Sequence, residues 1–404
     1  MVIKYREPRH PRQGPSCLLI LFVAFGVMVG MFVIQNADEV RETIIPTPTP
    51  EPTRSATEFA LLAQISEEDG ALDEALAYYQ EAVRLDATNA EIYIRFINLL
   101  VLTNHAEDAL QRGEEAVILA PENDRVWAAL ASAYLANGDR LYDAGDPNAA
   151  SLQYAQAYEA AETAIALNPE NSTAYAYSAA GLVLQGDANL FQEAQRQAET
   201  AVTLDPNNPI GRYYMAQVLT NLAFYEAARE QYQLGIQADP SYTDLHIGLA
   251  YNFFAASRLP EAILTFQDAL EVDPNNAAAY DGLAYMYLQL GQDVQAEENA
   301  EKSVELNPDV ARAHGRLGEA YMRLNKFDLA IEQFNQAVTL YGEPTPLNAR
   351  FFYLLANAYV RKGYENCETA VPLLQAVTLV SPAFAEDAQE LLIECRRVDL
   401  EPAP

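Results

Sequence analysis

Positive charge is scarce in this chain of 404 residues: 25 lysines and arginines stand against 57 aspartates and glutamates, a formal net charge of −32. Phosphate binding needs a net basic face, so nucleic acid is excluded as a partner. Cysteine and histidine are scarcer still, at three and four. His10, His105, His246 and His314 have no mutual spacing suited to a metal, and no Cys-x-x-Cys pair occurs. There is no glycine-rich phosphate loop and no Gly-x-Ser-x-Gly, and nothing pairs an acid, base or nucleophile. Neither an enzyme nor a cofactor or metal protein is expected.

Half of the residues are hydrophobic, enough for a large core and too many for a disordered chain. After residue 56, alanine, leucine, glutamine and glutamate dominate and prolines recur at regular intervals. That composition is all-helical, with proline marking helix ends.

Charge divides the N-terminal part into three. In residues 1–16, Lys4, Arg6, Arg9 and Arg12 against Glu7 leave +3; residues 17–34 carry none; residues 35–55 are net −2, which leaves −33 for the rest. The uncharged run CLLILFVAFGVMVGMFVI would form about 27 Å of helix, just enough for a hydrocarbon core. A cleaved signal peptide has a shorter apolar core and a small-x-small site, whereas here Ala37 has Gln35 two before it. Lipoprotein processing fits no better, because Cys17 precedes the apolar run. The expectation is a retained single-pass transmembrane signal anchor at 17–34, with the basic tail 1–16 cytoplasmic and everything after residue 35 exported. Residues 35–55 form a Pro/Thr-rich linker whose TIIPTPTPEPTRS favours an extended, semi-rigid polyproline stalk and could carry O-glycans.

From residue 56 the sequence repeats with a period of 34 or slightly more. Closures LDATN, LAPEN, LNPEN, LDPNN, QADPSY, VDPNN and LNPDV end successive units. Small residues recur in the second helix of each unit, and in several an aromatic lies between them: Ala75, Tyr79 and Ala82 in the first, Ala262, Phe266 and Ala269 in the sixth. A small residue lets two antiparallel helices approach closely, and the ring fills the gap beside it. In first helices, Trp127, Leu130, Ala131 and Tyr134 match W-x2-L-G-x2-Y, as do Tyr280, Leu283, Ala284 and Tyr287, and His314, Leu317, Gly318 and Tyr321.

Region 56–398 therefore resembles the tetratricopeptide repeat family. The resemblance implies a right-handed α-solenoid of about nine helical hairpins, at 56–89, 90–123, 124–171, 172–208, 209–242, 243–276, 277–310, 311–344 and 349–384. A capping helix follows at 385–397. Unit three carries 14 extra residues around RLYDAGDPNAASLQYA, with Asp146-Pro147 as an N-cap and first-turn proline. Its reading is two lengthened helices and a protruding tip, either a tolerated insertion or a partner-specific edge. The Asp-Pro-Asn-Asn closures lack the ligand alternation of a calcium loop and are explained as a helix stop followed by a cap. His246 and His314 occupy the Trp127 slot and are expected to be packing residues.

The resemblance also implies a concave groove lined by first helices. Its ligand-facing positions give Tyr177, Tyr213, Tyr214, Gln217, Tyr251, Phe254 and Tyr285 in units four to seven, and Arg312, Arg316, Arg323, Arg350 and Arg361 in units eight and nine. The arginines suggest an acidic partner segment, unless each pairs with a neighbouring carboxylate such as Glu319. A chaperone carboxylate clamp is not supported, because only Arg312 and Arg316 fit its pattern. Cys367 and Cys395 lie 14 residues either side of Ser381, at equal heights of a hairpin and on apolar stripes. A disulfide closing the cap is expected, with two buried thiols as the alternative and Pro372 able to displace Cys367 into the loop. The function expected is a membrane-anchored, non-enzymatic scaffold of a bacterial envelope that binds a partner polypeptide in its groove. The alternatives are an accessory subunit of an envelope enzyme or secretion machine, and a cell-wall glycan or peptide receptor.

Overall fold

The structure is a computed structural model describing residues 17–35 and 54–400. It divides into two compact units at Ser55/Ala56. In the first, α1 is a helix over Cys17–Gln35. Among the described residues no helix is long and apolar enough to cross a membrane. The expected transmembrane anchor at 17–34 is thus corrected to a helix without an established crossing. The single-pass topology, the bilayer as a partner, the signal anchor and the exported, envelope location of the repeats fall with it. The basic tail 1–16 and nearly all of the linker lie outside the described residues.

The second unit is all-α. Paired helices follow one another as α2 (Ala56–Glu68) and α3 (Leu72–Leu85), α4 (Ala90–Leu102) and α5 (Ala106–Leu119), α6 (Asp124–Asp143) and α7 (Pro147–Leu167), α8 (Ser172–Val183) and α9 (Phe191–Leu204), α10 (Pro209–Asn221) and α11 (Tyr225–Ala238). Then come α12 (Thr243–Ala255) and α13 (Leu259–Val272), α14 (Ala277–Leu290) and α15 (Asp293–Leu306), α16 (Ala311–Arg323) and α17 (Phe327–Tyr341), α18 (Ala349–Lys362) and α19 (Cys367–Val380), closed by α20 (Pro382–Leu400). Each helix packs on the next, and first helices also pack on first helices of adjoining units.

The closures work as stops and caps. Asp205 Oδ1 accepts the Asn207 amide and Asp273 Oδ1 the Asn275 amide, both at 3.0 Å, turning the chain after a helix. The following asparagines, Asn208 and Asn276, then cap the next helix by accepting its first-turn amides. The side-chain nitrogens are used as well, Asn208 donating to the Ser172 hydroxyl at 2.7 Å and Asn276 to Asp273 at 3.2 Å.

The core repeats one interlock. Tyr79, Tyr154, Tyr232, Phe266 and Phe334, one from the middle of a second helix each, are all at most 4 % exposed. Each of the last four lies against a glycine: a Cβ on Gly138, Gly248, Gly282 or Gly318 would come within 2.4, 2.5, 2.3 or 2.7 Å of the ring. Trp127 and His314 sit in one slot of their units, and both donate to the carbonyl six residues earlier, on Pro121 and Pro308, at 2.8 Å. Arg212 does the same to Pro206 at 2.9 Å, whereas His246 leaves Nε2 unpartnered.

Cys367 and Cys395 are bridged, with Cα atoms 5.6 Å apart, and both are buried in the cluster joining α18, α19 and α20. Pro372 stands inside α19, within a helix that starts at Cys367 itself. As the sixth residue of that helix it removes the amide that would have met the Glu368 carbonyl, without displacing Cys367 from the helix.

Two outcomes follow from this packing. Gly282→Ala should destabilise the array by about 1–3 kcal/mol in urea denaturation, since the Phe266 ring has no free volume to move into. Peptide mapping without reductant should recover one cross-linked pair, and reduction should speed amide exchange in α19 and α20 more than elsewhere.

Candidate functional site

First helices supply the face at issue, and the tyrosines expected there do converge. Tyr213 meets Tyr214 edge-on at 5.0 Å between centroids, Tyr214 meets Tyr177 at 6.0 Å, and Tyr213 meets Tyr242 at 6.1 Å. Gln217 donates to the Tyr213 hydroxyl at 2.6 Å, while its own Oε1 is buried without a partner. Further along, Tyr251 stands edge-on to the buried Phe266 at 5.1 Å, and Phe254 to Tyr285 at 5.3 Å. All these side chains apart from Phe266 are half-buried. Desolvation holds the Tyr213, Tyr214 and Tyr242 hydroxyls well above the usual tyrosine range, so they remain neutral donors.

The arginines are occupied. Arg316 pairs with the Asp281 carboxylate, donates to the Asp281 carbonyl at 3.0 Å and lies 4.5 Å over the Tyr285 ring. Arg312 donates to Asp281 at 3.1 Å and to Asp143 at 2.7 Å. Arg323 meets Glu319 at 2.7 Å and the Leu288 carbonyl at 2.6 Å, and Arg350 takes the other Glu319 oxygen at 2.7 Å. Arg361 donates to the Asn357 side chain at 3.4 Å. Asp281 and Glu319 are 3 % and 6 % exposed, so these are charges folded between neighbouring units. Burial pulls the Arg312 pKa down, but Asp281 and Asp143 outweigh it and hold the guanidinium charged. Four of the five arginines thus serve as cross-links from α16 and α18 to their neighbours, and the case for an acidic segment weakens accordingly.

Acidic groups missed by the sequence reading take their place. Asp139 and Asp244 are exposed beside the tyrosines, and the Tyr154 hydroxyl donates to Asp139 at 2.8 Å. Desolvation raises the Asp139 carboxyl to about 7, opposed by that hydrogen bond and reinforced by Asp143 and Asp244. Burial raises Asp244 too. Both carboxylates reach water yet are surrounded by protein, as on the inner wall of a curved array. No alignment of spacings in the sequence brings Asp139, in unit three, to Asp244, in unit six. Only the curvature does.

A native carboxyl titrating near 7, against about 3.9 in the unfolded chain, binds its proton more tightly when folded. Its contribution is complete below about pH 4 and is lost as the pH rises through 7. Asp139→Asn keeps the acceptor for Tyr154 and removes the charge. The variant should melt about 2–4 °C above wild type at pH 8, with the gain vanishing by pH 4. A pH-independent difference would show that the carboxyl titrates as in water.

Among the described residues there is no cluster of histidine, cysteine, aspartate or glutamate able to hold a metal. Models of the tetratricopeptide repeat match residues 59–89, 265–298, 294–344 and 316–364. No curated protein matches the chain in sequence. Among solved structures it is similar to a human IFIT1 dimer with PPP-AAAA, at TM-score 0.59 and 18 % identity over 87 % of this chain and 92 % of that one. It is also similar to yeast Tom70, at 0.47 and 14 % over 85 % and 96 %, and to Pseudomonas aeruginosa pilF, at 0.46 and 19 % over 55 % and 98 %. The first of these likenesses is one of fold. The segments that match are tetratricopeptide repeats.

Proposed function

We propose that the repeat array is a non-enzymatic interaction scaffold that holds a partner polypeptide against its concave face. One observation carries the reading: half-buried tyrosines from units four to seven face the same side, with an unpartnered Gln217 oxygen among them. Tyrosine suits such a surface, because it buries a ring while its hydroxyl stays hydrogen-bonded. The carboxylates of Asp139 and Asp244 stand beside the rings, and the nearest arginines are neutralised by Asp281 and Asp143. The face therefore suits apolar and basic side chains, and its charge would repel an acidic segment.

A photo-crosslinking residue at position 214 or 251 should form an adduct with a polypeptide in cells, and the same residue at the exposed Glu271 should not. Affinity of the captured partner should fall more than tenfold in Tyr213→Ala/Tyr251→Ala, at about 1–2 kcal/mol for each tyrosine lost. Equal capture from both sides of the array, or unchanged affinity in the double variant, would remove the concave face from the function.

A further inference from the structure

The excess length of unit three ends in a contact with unit eight. Helices α6 and α7 run 20 and 21 residues, where the other paired helices have 12 to 15. The added turns carry the tip roughly 10 Å beyond the ends of neighbouring hairpins. The extension is braced internally by the Tyr154–Asp139 bond and by Asn137 donating to Gln153 at 3.0 Å. Helices α6 and α7 pack on α4, α5 and α8, their neighbours in units two and four.

The tip, however, meets residues far away in sequence. Asp143, the last residue of α6, accepts from Arg312 at 2.7 Å across 169 residues. Gly145 is buried, with φ +82°, and a Cβ there would lie 2.6 Å from the Asn348 amide nitrogen and 3.3 Å from the Tyr341 ring. The receiving surface is itself built. Asn348 is 1 % exposed, accepts the Thr345 amide at 2.7 Å and donates to the Glu343 carbonyl at 3.2 Å, and Tyr341 stacks on Phe351 at 5.6 Å. A tolerated insertion would end in solvent; this one ends in an ion pair and a glycine seated on a preformed loop.

Units three to eight pack in unbroken succession, so a contact between the first and the last closes the circuit. We propose that the α6–α7 hairpin is a clasp that closes units three to eight into a ring around the concave face, admitting an extended polypeptide segment and excluding folded domains. The class of partner rests on the concave-face reading above; the closure itself does not. A polypeptide then reaches the tyrosines and Asp244 only by threading the ring or by opening the clasp at Asp143 and Gly145.

The test needs no partner, so it stands apart from whether the concave face binds one. Spin labels at Asn148→Cys and Glu343→Cys, both exposed positions, are placed in the full chain with Cys17→Ser and the Cys367–Cys395 bridge intact. The closed ring should give one narrow distance distribution. Asp143→Lys repels Arg312 while leaving the Asp281 pairs in place, and should at least double the width of the distribution at unchanged helicity. Gly145→Leu, which acts on the loop contact alone, should do the same and serves if the first variant is poorly folded. A broad distribution in the parent, or a narrow one in both variants, overturns the clasp. In a second arm, Asp244→Cys is treated with N-ethylmaleimide, with a maleimide on a linear polyethylene glycol, or with a maleimide on folded ubiquitin. The first two should react at comparable rates in the closed protein, and the ubiquitin probe at least tenfold more slowly until Asp143→Lys is introduced. Equal labelling by the folded probe in the closed protein overturns the selection for extended chains.

Discussion

The array depends on how closely a second helix can approach the first helices on either side of it. A ring at the middle of five of the second helices, Tyr79, Tyr154, Tyr232, Phe266 or Phe334, is the wedge, and four of these five meet a glycine that gives it room. The alanines flanking each ring, such as Ala262 and Ala269, are fully buried for the same reason. Because the interlock repeats, each interface tilts its unit in a similar way, and a run of similar tilts makes a curve. Curvature in turn creates an inner face, so a packing rule of one glycine and one ring stands behind the site.

Charge follows from that curve. A first helix on the inner side is crowded by its neighbours, and a charged residue there finds a partner in the next unit before it finds water. Asp281 and Glu319 are buried for this reason, each taking two arginines. Removing one carboxylate would leave a guanidinium such as Arg316, 12 % exposed, without compensation, which is the costly way to break such a pair. The acidic excess of the chain is therefore unevenly expressed. On the outside it is solvated; beside the tyrosines it remains as Asp139 and Asp244, whose carboxyls are both raised by burial.

Closure at the α6–α7 tip changes what the curve means. An open solenoid offers its inner face along its whole length, whereas a ring restricts entry by its opening. The joint lies between partly exposed groups, Asp143 and Arg312, at 37 % and 34 %. An ion pair so placed is weak and screened by salt, which suits a joint that opens and closes.

Much of this was legible from residue order alone, because it is local. The 34-residue period, the aromatic between two alanines, the Asp-Pro-Asn-Asn stops and the slot shared by Trp127 and His314 are set within one or two helical turns, where sequence distance and spatial distance agree. The lengthened hairpin of unit three was readable in the same way from Asp146-Pro147, as was the level placement of Cys367 and Cys395 across Ser381. An apolar run at 17–34 was legible as a helix, but hydropathy alone overreached in making it a membrane crossing. The groove arginines could be placed on the inner face by their repeat positions, yet their partners could not: Arg350 reaches Glu319 across 31 residues, and Arg312 reaches Asp143 across 169. The period of a repeat fixes what each unit is, because each unit's contacts lie in its own sequence. Small tilts summed over five interfaces decide which distant units meet, and no single stretch of sequence carries that sum.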